Sequence, residues 1–203
     1  MASTIASTII DPTVSSSVST NRGRMPRAAR SVSLAGVRVG LLENTKRNAA
    51  DLLDGIGESL VRDLGAAELV RRTKKQFALP LTDEVLAELS ESCDVVVVGV
   101  GDCGSCSAAA VADGIALERA GIPTAVICTE AFASTSQAMA DLKGDPGFPY
   151  ILTEHPVANL DAGQLADRAA QLVDDVASRL TAAGDAAPVP APRAADRALS
   201  VPV

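Results

Sequence analysis

The fold is decided by Val95-Val-Val-Val-Gly-Val-Gly-Asp-Cys-Gly-Ser-Cys106, a stretch in the middle of the 203-residue chain. Four consecutive valines are typical of a strand that is buried on both faces of a parallel sheet. The glycines that follow indicate a tight turn, and the alanine-rich segment 107–120 predicts a helix closed by Gly121 and Pro123. The stretch therefore predicts a strand, a turn that carries two cysteines, and a helix.

Strands and helices alternate along the rest of the chain in the same way. Further strands are predicted at 37–42, 68–70, 124–128 and 150–152, and further helices at 48–64, 82–90, 134–142 and 161–183. The basic run 71–75 is predicted to be a loop, either solvated or in contact with an anionic substrate or partner. The alternation predicts an α/β fold, a three-layer sandwich with a parallel five-stranded sheet. The flavodoxin-like strand order 2-1-3-4-5 is favoured, and a Rossmann-like order is the alternative.

Length and composition predict one domain with two tails. We expect an N-terminal arm at 1–33, disordered on composition alone, an α/β domain at 34–183, and a mobile Pro/Ala-rich tail at 184–203. The net charge of −7 argues against nucleic acid or an anionic membrane as a partner. Since the sequence shows neither a secretory signal nor an apolar run of about 18 residues, we expect a cytoplasmic protein with reduced thiols.

Polar and thiol-bearing residues follow four of the five predicted strands. The carboxyl ends of parallel strands meet at one edge of the sheet, where ligands bind. The residues expected there are Asn44 and Lys46 after the first strand, Gly101, Asp102, Cys103, Gly104, Ser105 and Cys106 after the third, Thr129 and Glu130 after the fourth, and His155, the only histidine, after the fifth. We therefore predict one site at this edge.

The spacing of Cys103 and Cys106 is typical of a redox-active pair when it joins a strand to a helix. Unpaired N–H groups and the helix dipole at a helix N-terminus stabilise a thiolate. Cys103 is the expected nucleophile, and Cys106 is expected to resolve a mixed disulfide or thioether. The alternative is that both cysteines are small buried residues in a tight turn.

The other residues of the site are assigned by their chemistry. Asp102 and Glu130 are candidates to relay protons, and His155 is either an acid–base catalyst or an ordinary loop histidine. Lys46 is a candidate to bind a substrate carboxylate or to form a Schiff base, unless it is simply solvated. Substrate binding is assigned to Lys46 and to Asn44, Thr129, Gly101, Gly104 and Ser105.

A zinc site is one alternative use of the same residues. Cys103, Cys106, Cys128 and His155 would form a Cys₃His set, although its cysteines lack a second close pair. Cys93 is excluded, because a strand of about seven residues at ~3.3 Å per residue places it roughly 20 Å from Cys103.

A dinucleotide site is the second alternative. Gly99-Val-Gly-Asp-Cys-Gly104 matches G-x-G-x-x-G between a strand and a helix, and Glu130 ends the next strand. Two thiols are unusual beside a nucleotide, so the favoured interpretation requires neither a metal nor a cofactor.

Several separated segments resemble the UGSC-motif family, in which the first motif position is selenocysteine or cysteine. The segments are Gly99-Val-Gly-Asp-Cys-Gly-Ser-Cys106, Asp11-Pro12-Thr13, Gly40-Leu-Leu-Glu-Asn-Thr-Lys46 with Asn48-Ala49, Ala120-Gly-Ile-Pro-Thr124 with Thr129-Glu130 and Phe132, and His155-Pro156. The resemblance covers roughly residues 9 to 180, and it implies that the arm from residue 9 is part of the folded domain. The chain departs from the expected pattern at Lys46-Arg47-Asn48, where Lys-Pro-Asn is expected.

The family is similar to the selenoprotein B subunits of glycine, sarcosine and betaine reductases. In those proteins a selenol or thiol attacks a carbon that bears nitrogen, and the C–N bond is cleaved reductively. By this resemblance Cys103 takes the selenocysteine position as nucleophile and Cys106 is the resolving cysteine. A cysteine in that position implies a slower nucleophile or an easier reaction.

The expected function is that of a thiol-based oxidoreductase that performs reductive cleavage or sulfur transfer on a small molecule. We expect a homo-oligomer, or a hetero-oligomer with a second subunit. The alternatives are a non-catalytic binding subunit of a hetero-oligomeric enzyme and a zinc-stabilised structural protein.

Overall fold

The structure, a computed structural model, describes residues 27–181. Its five parallel strands form one sheet in the order β2-β1-β3-β4-β5. The elements are β1 Arg38–Glu43, α1 Ala49–Leu64, β2 Glu68–Thr73, α2 Asp83–Ser92, β3 Val95–Gly101, α3 Gly104–Arg119, β4 Thr124–Thr129, a 3₁₀ helix Glu130–Phe132, α4 Ala133–Leu142, β5 Ile151–Thr153 and α5 Ala162–Leu180. The flavodoxin-like order is confirmed, and the Rossmann-like alternative is wrong.

The valine run forms the centre of the sheet. Every residue of β3 is buried, because β1 and β4 pair with its two sides and helices cover both faces. Val95 and Val97 pack with α1 and α5, whereas Val96 and Val98 pack with α3 on the opposite face. A strand without a polar face is therefore explained by the two helical layers.

Strand β2 extends further than the sequence predicts. Arg71, Arg72 and Thr73 belong to β2, so the prediction of a loop at 71–75 is wrong for its first three residues. As an edge strand, β2 tolerates charged side chains on its exposed positions, and such charges are equally typical of a loop. Both arginines form exposed ion pairs with Asp54 and Glu88 of the neighbouring helices.

Residues 27–33 of the predicted arm contact the α/β domain. Arg30 forms a buried ion pair with Glu118 at 2.6 Å, and Arg27 is paired with Asp145. The prediction for the segment Asp11-Pro12-Thr13 and that for the tail 184–203 lie outside the described residues. Within the described range, none of the helices combines the length and hydrophobicity needed to cross a bilayer.

Candidate functional site

The site is built on the junction between β3 and α3. The helix begins at Gly104, earlier than the predicted Ser107, because Cys103 is its N-cap residue. The Cys103 sulfur accepts a hydrogen bond from the backbone N–H of Cys106 at 3.3 Å. This sulfur therefore lies at the positive end of a 16-residue helix, an environment that stabilises a thiolate.

Cys103 and Cys106 form a pair with unequal access to solvent. Their sulfur atoms lie at disulfide distance, and their Cα atoms are 5.2 Å apart, within the usual range for a disulfide. Cys103 is partly exposed, whereas Cys106 is fully buried. A reagent from solvent therefore reaches Cys103 first.

Two glycines shape the approach to this pair. A Cβ atom on Gly101 would lie 2.7 Å from the Cys128 sulfur and 2.8 Å from the Ser107 Cα atom, so only glycine lets β3 pass this close to α3. A Cβ atom on Gly104 would meet no atom within 4 Å, which leaves open space beside Cys103. Ser105 is exposed, with its hydroxyl oxygen 3.6 Å from the Cys103 sulfur.

Asp102 connects the end of β3 to the loop that follows β5. Its side chain is only 4% exposed. Its Oδ2 atom accepts the backbone N–H of Ala158 at 2.9 Å, and both oxygens contact the N–H of Val157 at 3.2 Å. Its Oδ1 atom also lies 2.9 Å from Nδ1 of His155. The carboxylate thus fixes the loop and the histidine together.

His155 lies between three side chains. Besides Asp102, its Nδ1 atom contacts Oγ1 of Thr129 at 3.2 Å, and its ring meets the ring of Phe132 edge-on at 5.4 Å. Thr129 is fully buried and donates its hydroxyl proton to the carbonyl oxygen of Gly101 at 3.2 Å. The structure thus places Thr129 behind His155, away from solvent.

Asn44 holds the end of β3 in place. Its side-chain amide donates to the Val100 carbonyl at 2.9 Å, and its side-chain oxygen accepts the Val100 N–H at 3.3 Å. These two bonds continue the pairing of β1 with β3 beyond Glu43 and Gly99, where the regular ladder ends. Because both polar groups are bound to backbone, the side chain is occupied as part of the fold.

Lys46 and Glu130 do not contact the cysteine pair in any interaction of the described residues. The Lys46 ammonium lies 4.4 Å from the centre of the Phe77 ring, in a cation–π contact. Glu130 is exposed on the short 3₁₀ helix after β4. Their assigned roles stay predictions.

The geometry does not favour a metal site. Within residues 27–181, no group of three or more His, Cys, Asp or Glu side chains is arranged to hold a metal ion. Burial raises the pKa of the Cys128 thiol to about 11, so this cysteine is protonated at neutral pH. Cys93 is buried beyond the opposite end of β3, as its spacing from Cys103 predicts. A phosphate at the start of α3 would meet the Cys103 sulfur that caps it.

Sequence reasoning missed two contributors to this site. The backbone N–H groups of Val157 and Ala158 carry no signal in the sequence. Outside the site, the buried pair of Lys74 with Asp113 was also missed. An aspartate in the middle of the alanine-rich helix α3 is the signal that identifies it, since a buried carboxylate needs a partner.

A comparison with protein-family models agrees with the sequence motif. The model of the UGSC family matches residues 8–182. Among solved structures, a diflavin flavoprotein A3 from Nostoc sp. is similar at 14% identity, over 71% of this chain and 96% of that chain, with a TM-score of 0.36, too distant to support an argument. A search of curated proteins gave no significant match.

Proposed function

Because the chain belongs to the UGSC family, we propose that it is a thiol-based oxidoreductase in which Cys103 and Cys106 reduce a small molecule. One observation carries the proposal: a partly exposed cysteine caps a helix and lies at disulfide distance from a buried cysteine one turn further on. The exposed thiolate is the nucleophile, and the buried thiol can reach only its neighbour. A reductive thiol pair requires these two roles, an accessible attacking thiolate and a second thiol that resolves the intermediate.

The reaction proceeds in two halves. First, the Cys103 thiolate attacks the substrate atom that bears the leaving group, and the leaving group departs with the bonding electron pair and takes up a proton. Second, the Cys106 thiolate attacks the Cys103 sulfur, so that a disulfide forms and the substrate fragment departs with an electron pair and takes up the second proton. The substrate gains two electrons and two protons, all from the dithiol. A dithiol donor then reduces the disulfide.

The resemblance to the selenoprotein B subunits supports a carbon atom as the point of attack, with nitrogen as the leaving group. The same resemblance supports an assembly with a second subunit. Sulfur transfer remains the other form of the same chemistry, with a sulfur atom attacked in place of carbon.

The proposal is tested by the alkylation rate of each cysteine against pH in the reduced protein, measured by peptide mass spectrometry. We expect Cys103 to react with an apparent pKa below the ~8.5 of a free thiol, because the start of α3 stabilises its thiolate. Burial raises the pKa of both Cys93 and Cys128, so these two cysteines serve as slow internal references. Cys103 reacting no faster than the two buried cysteines contradicts the proposal.

Two matched variants separate the roles within the pair. In Cys106→Ser, Cys103 keeps its fast alkylation, but mild oxidation no longer yields an intramolecular disulfide. In Cys93→Ser, both properties are expected to be unchanged, because Cys93 lies beyond the opposite end of β3. A disulfide that involves Cys93 or Cys128 after mild oxidation of the wild-type protein counts against the assigned pair.

A binding subunit is the second candidate, favoured by an exposed apolar surface near the edge of the sheet. Phe77 is 42% exposed and Leu79 is 52% exposed. Leu79 borders a cleft of about 360 Å³ between the end of β2 and α2. If this surface binds a second copy or subunit, the double variant Phe77→Ser/Leu79→Ser lowers the mass measured by light scattering while Cys103 keeps its reactivity. An unchanged mass argues against this role.

A further inference from the structure

The hydrogen-bond partners of His155 determine which of its nitrogens carries the proton. Nδ1 lies 2.9 Å from a carboxylate oxygen of Asp102, a contact that needs a hydrogen between the two atoms. The carboxylate already accepts the backbone N–H groups of Val157 and Ala158, and it has only acceptors to offer. Nδ1 must therefore be the donor.

The contact of Thr129 with His155 also requires a proton on Nδ1. Its hydroxyl has one proton, which is directed to the carbonyl oxygen of Gly101 at 3.2 Å. Its oxygen therefore faces Nδ1 of His155, also at 3.2 Å, with a lone pair. Two independent acceptors thus point at Nδ1, and both favour a proton on that atom.

The burial of these partners orients the ring. The Asp102 side chain is 4% exposed and Thr129 is fully buried, whereas the His155 side chain is 35% exposed. Because the Nδ1 edge faces the buried partners, the exposed part of the ring is the opposite edge, which carries Nε2. Phe132 packs against the ring and limits its rotation.

His155 borders a polar cleft of about 320 Å³ between the β5–α5 loop and α5. Its lining includes Gln164, Asp167 and Arg168, which are polar or charged, beside His155. Arg168 donates to the Glu154 backbone and carboxylate, so its charge is already balanced within the cleft. The unprotonated Nε2 atom of His155 is thus a neutral proton acceptor at this cleft, which the carboxylates of Glu154 and Asp167 also line.

We infer that Asp102 and Thr129 hold His155 as its Nδ1–H tautomer, so that Nε2 is the proton acceptor for a small protic ligand such as a thiol, an alcohol or an ammonium compound. The proton leaves the donor atom of the ligand and is held on Nε2, and the positive charge that forms on the ring is balanced by Asp102. Asp102 and Thr129 are positioning residues in this arrangement. The inference deepens the proposed function. The tautomer follows from the hydrogen-bond geometry, and only the use of the proton in catalysis rests on the proposed function.

The tautomer is measured directly by nitrogen NMR, because the chain has a single histidine and every imidazole signal belongs to it. Labelled protein without a histidine tag is examined by long-range ¹H–¹⁵N correlation at a pH at which the imidazole ring is neutral. We expect a protonated Nδ1 and a pyridine-type Nε2, the reverse of the form that free histidine favours. A wild-type spectrum with Nε2–H as the major neutral form overturns the inference.

Substitutions of the two positioning residues give graded effects. Asp102→Asn keeps the shape of the side chain but presents an amide N–H to Nδ1, so the ratio of Nδ1–H to Nε2–H is expected to fall about tenfold or more. Thr129→Val is expected to lower the ratio about threefold, and Thr129→Ser is expected to restore it. The serine variant is the control, because a general loss of structure would lower the ratio in both variants, whereas loss of the hydroxyl lowers it only in the valine variant. Unchanged ratios in both Asp102→Asn and Thr129→Val contradict the inference.

Access to Nε2 is tested with diethyl pyrocarbonate, which acylates an unprotonated, accessible imidazole nitrogen. His155 of the folded wild-type protein is expected to react at Nε2, and Asp102→Asn is expected to react about tenfold more slowly because its Nε2 carries a proton. An unreactive His155 in the folded protein overturns the inference. Because neither readout depends on thiol reactivity, an inert Cys103 beside a correct tautomer refutes the proposed function alone.

Discussion

Replacing Asn44 by leucine should destabilise the protein, because Asn44 is bound to the backbone at the end of β3. Leucine has a similar volume, so the change removes two hydrogen bonds without opening a large cavity. The Val100 N–H, which is buried with Val100 only 1% exposed, loses its partner. The Val100 carbonyl loses the Asn44 amide but keeps the backbone N–H of Asp102 at 3.0 Å. An unsatisfied buried N–H costs about 1–3 kcal/mol and the lost bond to the carbonyl about 0.5–1.5 kcal/mol, so we expect a loss of about 3 kcal/mol in total.

The loss is measured by urea denaturation followed by circular dichroism, at neutral pH and with the disulfide in one defined redox state. Thermal denaturation gives a second measurement. A domain of this size shifts its melting temperature by about 2–4 °C per kcal/mol, so we expect the melting temperature to decrease by roughly 6–12 °C. Ser105→Ala is the matched control, since Ser105 lies at the same edge of the sheet but is exposed. A loss below about 0.5 kcal/mol in Asn44→Leu would refute the structural role and return Asn44 to the substrate-binding role that the sequence predicts.

Three further perturbations test the packing and the buried charges. Gly114→Ala should cost about 1–3 kcal/mol in urea denaturation despite the higher helix propensity of alanine, because the new Cβ would lie 2.3 Å from Cγ2 of Val126; equal or higher stability contradicts this. Lys74→Met should cost about 3–5 kcal/mol at pH 7, because it leaves the buried Asp113 carboxylate unpaired. Burial raises the pKa of Asp113 and Lys74 opposes this rise, so the variant without Lys74 binds the Asp113 proton more readily than the wild type does. The loss should therefore shrink as the pH falls toward ~4, and an equal loss at pH 7 and pH 5 contradicts this. Since burial raises the pKa of Cys128 to about 11, its alkylation at pH 8 should be at least about 100-fold slower in the folded than in the unfolded protein, and similar rates contradict this.

The fold was readable from the sequence because its central strand has no polar face. A run of four valines is compatible with few environments other than the middle of a parallel sheet, and the alternation of elements fixes the rest. The edge strand β2 was shortened in the prediction, because the charges of Arg71 and Arg72 are permitted at an edge and are also typical of loops. Ambiguity of this kind is resolved only by knowing which strand lies outermost.

The part of the site that the sequence predicts is the part that depends on the carboxyl ends of parallel strands meeting at one edge of the sheet. Asp102, Cys103 and His155 were placed at one edge by topology alone, and the structure brings the aspartate and the histidine into contact. The role of Asn44 was not readable, because it depends on where the pairing of β1 with β3 ends, at Glu43 and Gly99. The role of Thr129 was not readable either, because the pairing of β3 with β4 is irregular between Val98 and Gly101. Where the ladder breaks, backbone groups need side-chain partners, and no periodicity in the sequence reports such a break.

The cap of α3 is the strongest reason to assign chemistry to the cysteine pair. Serine, threonine, aspartate and asparagine are the effective N-cap residues, because an oxygen accepts backbone N–H groups better than sulfur does. This chain follows that preference at α2, which Thr82 caps, and at α5, which Asp161 caps with a full capping box. At α3 the same position holds the weaker acceptor Cys103. An oxygen at this position would give the stronger cap, so the sulfur of Cys103 supports the proposed thiol chemistry over packing in a tight turn.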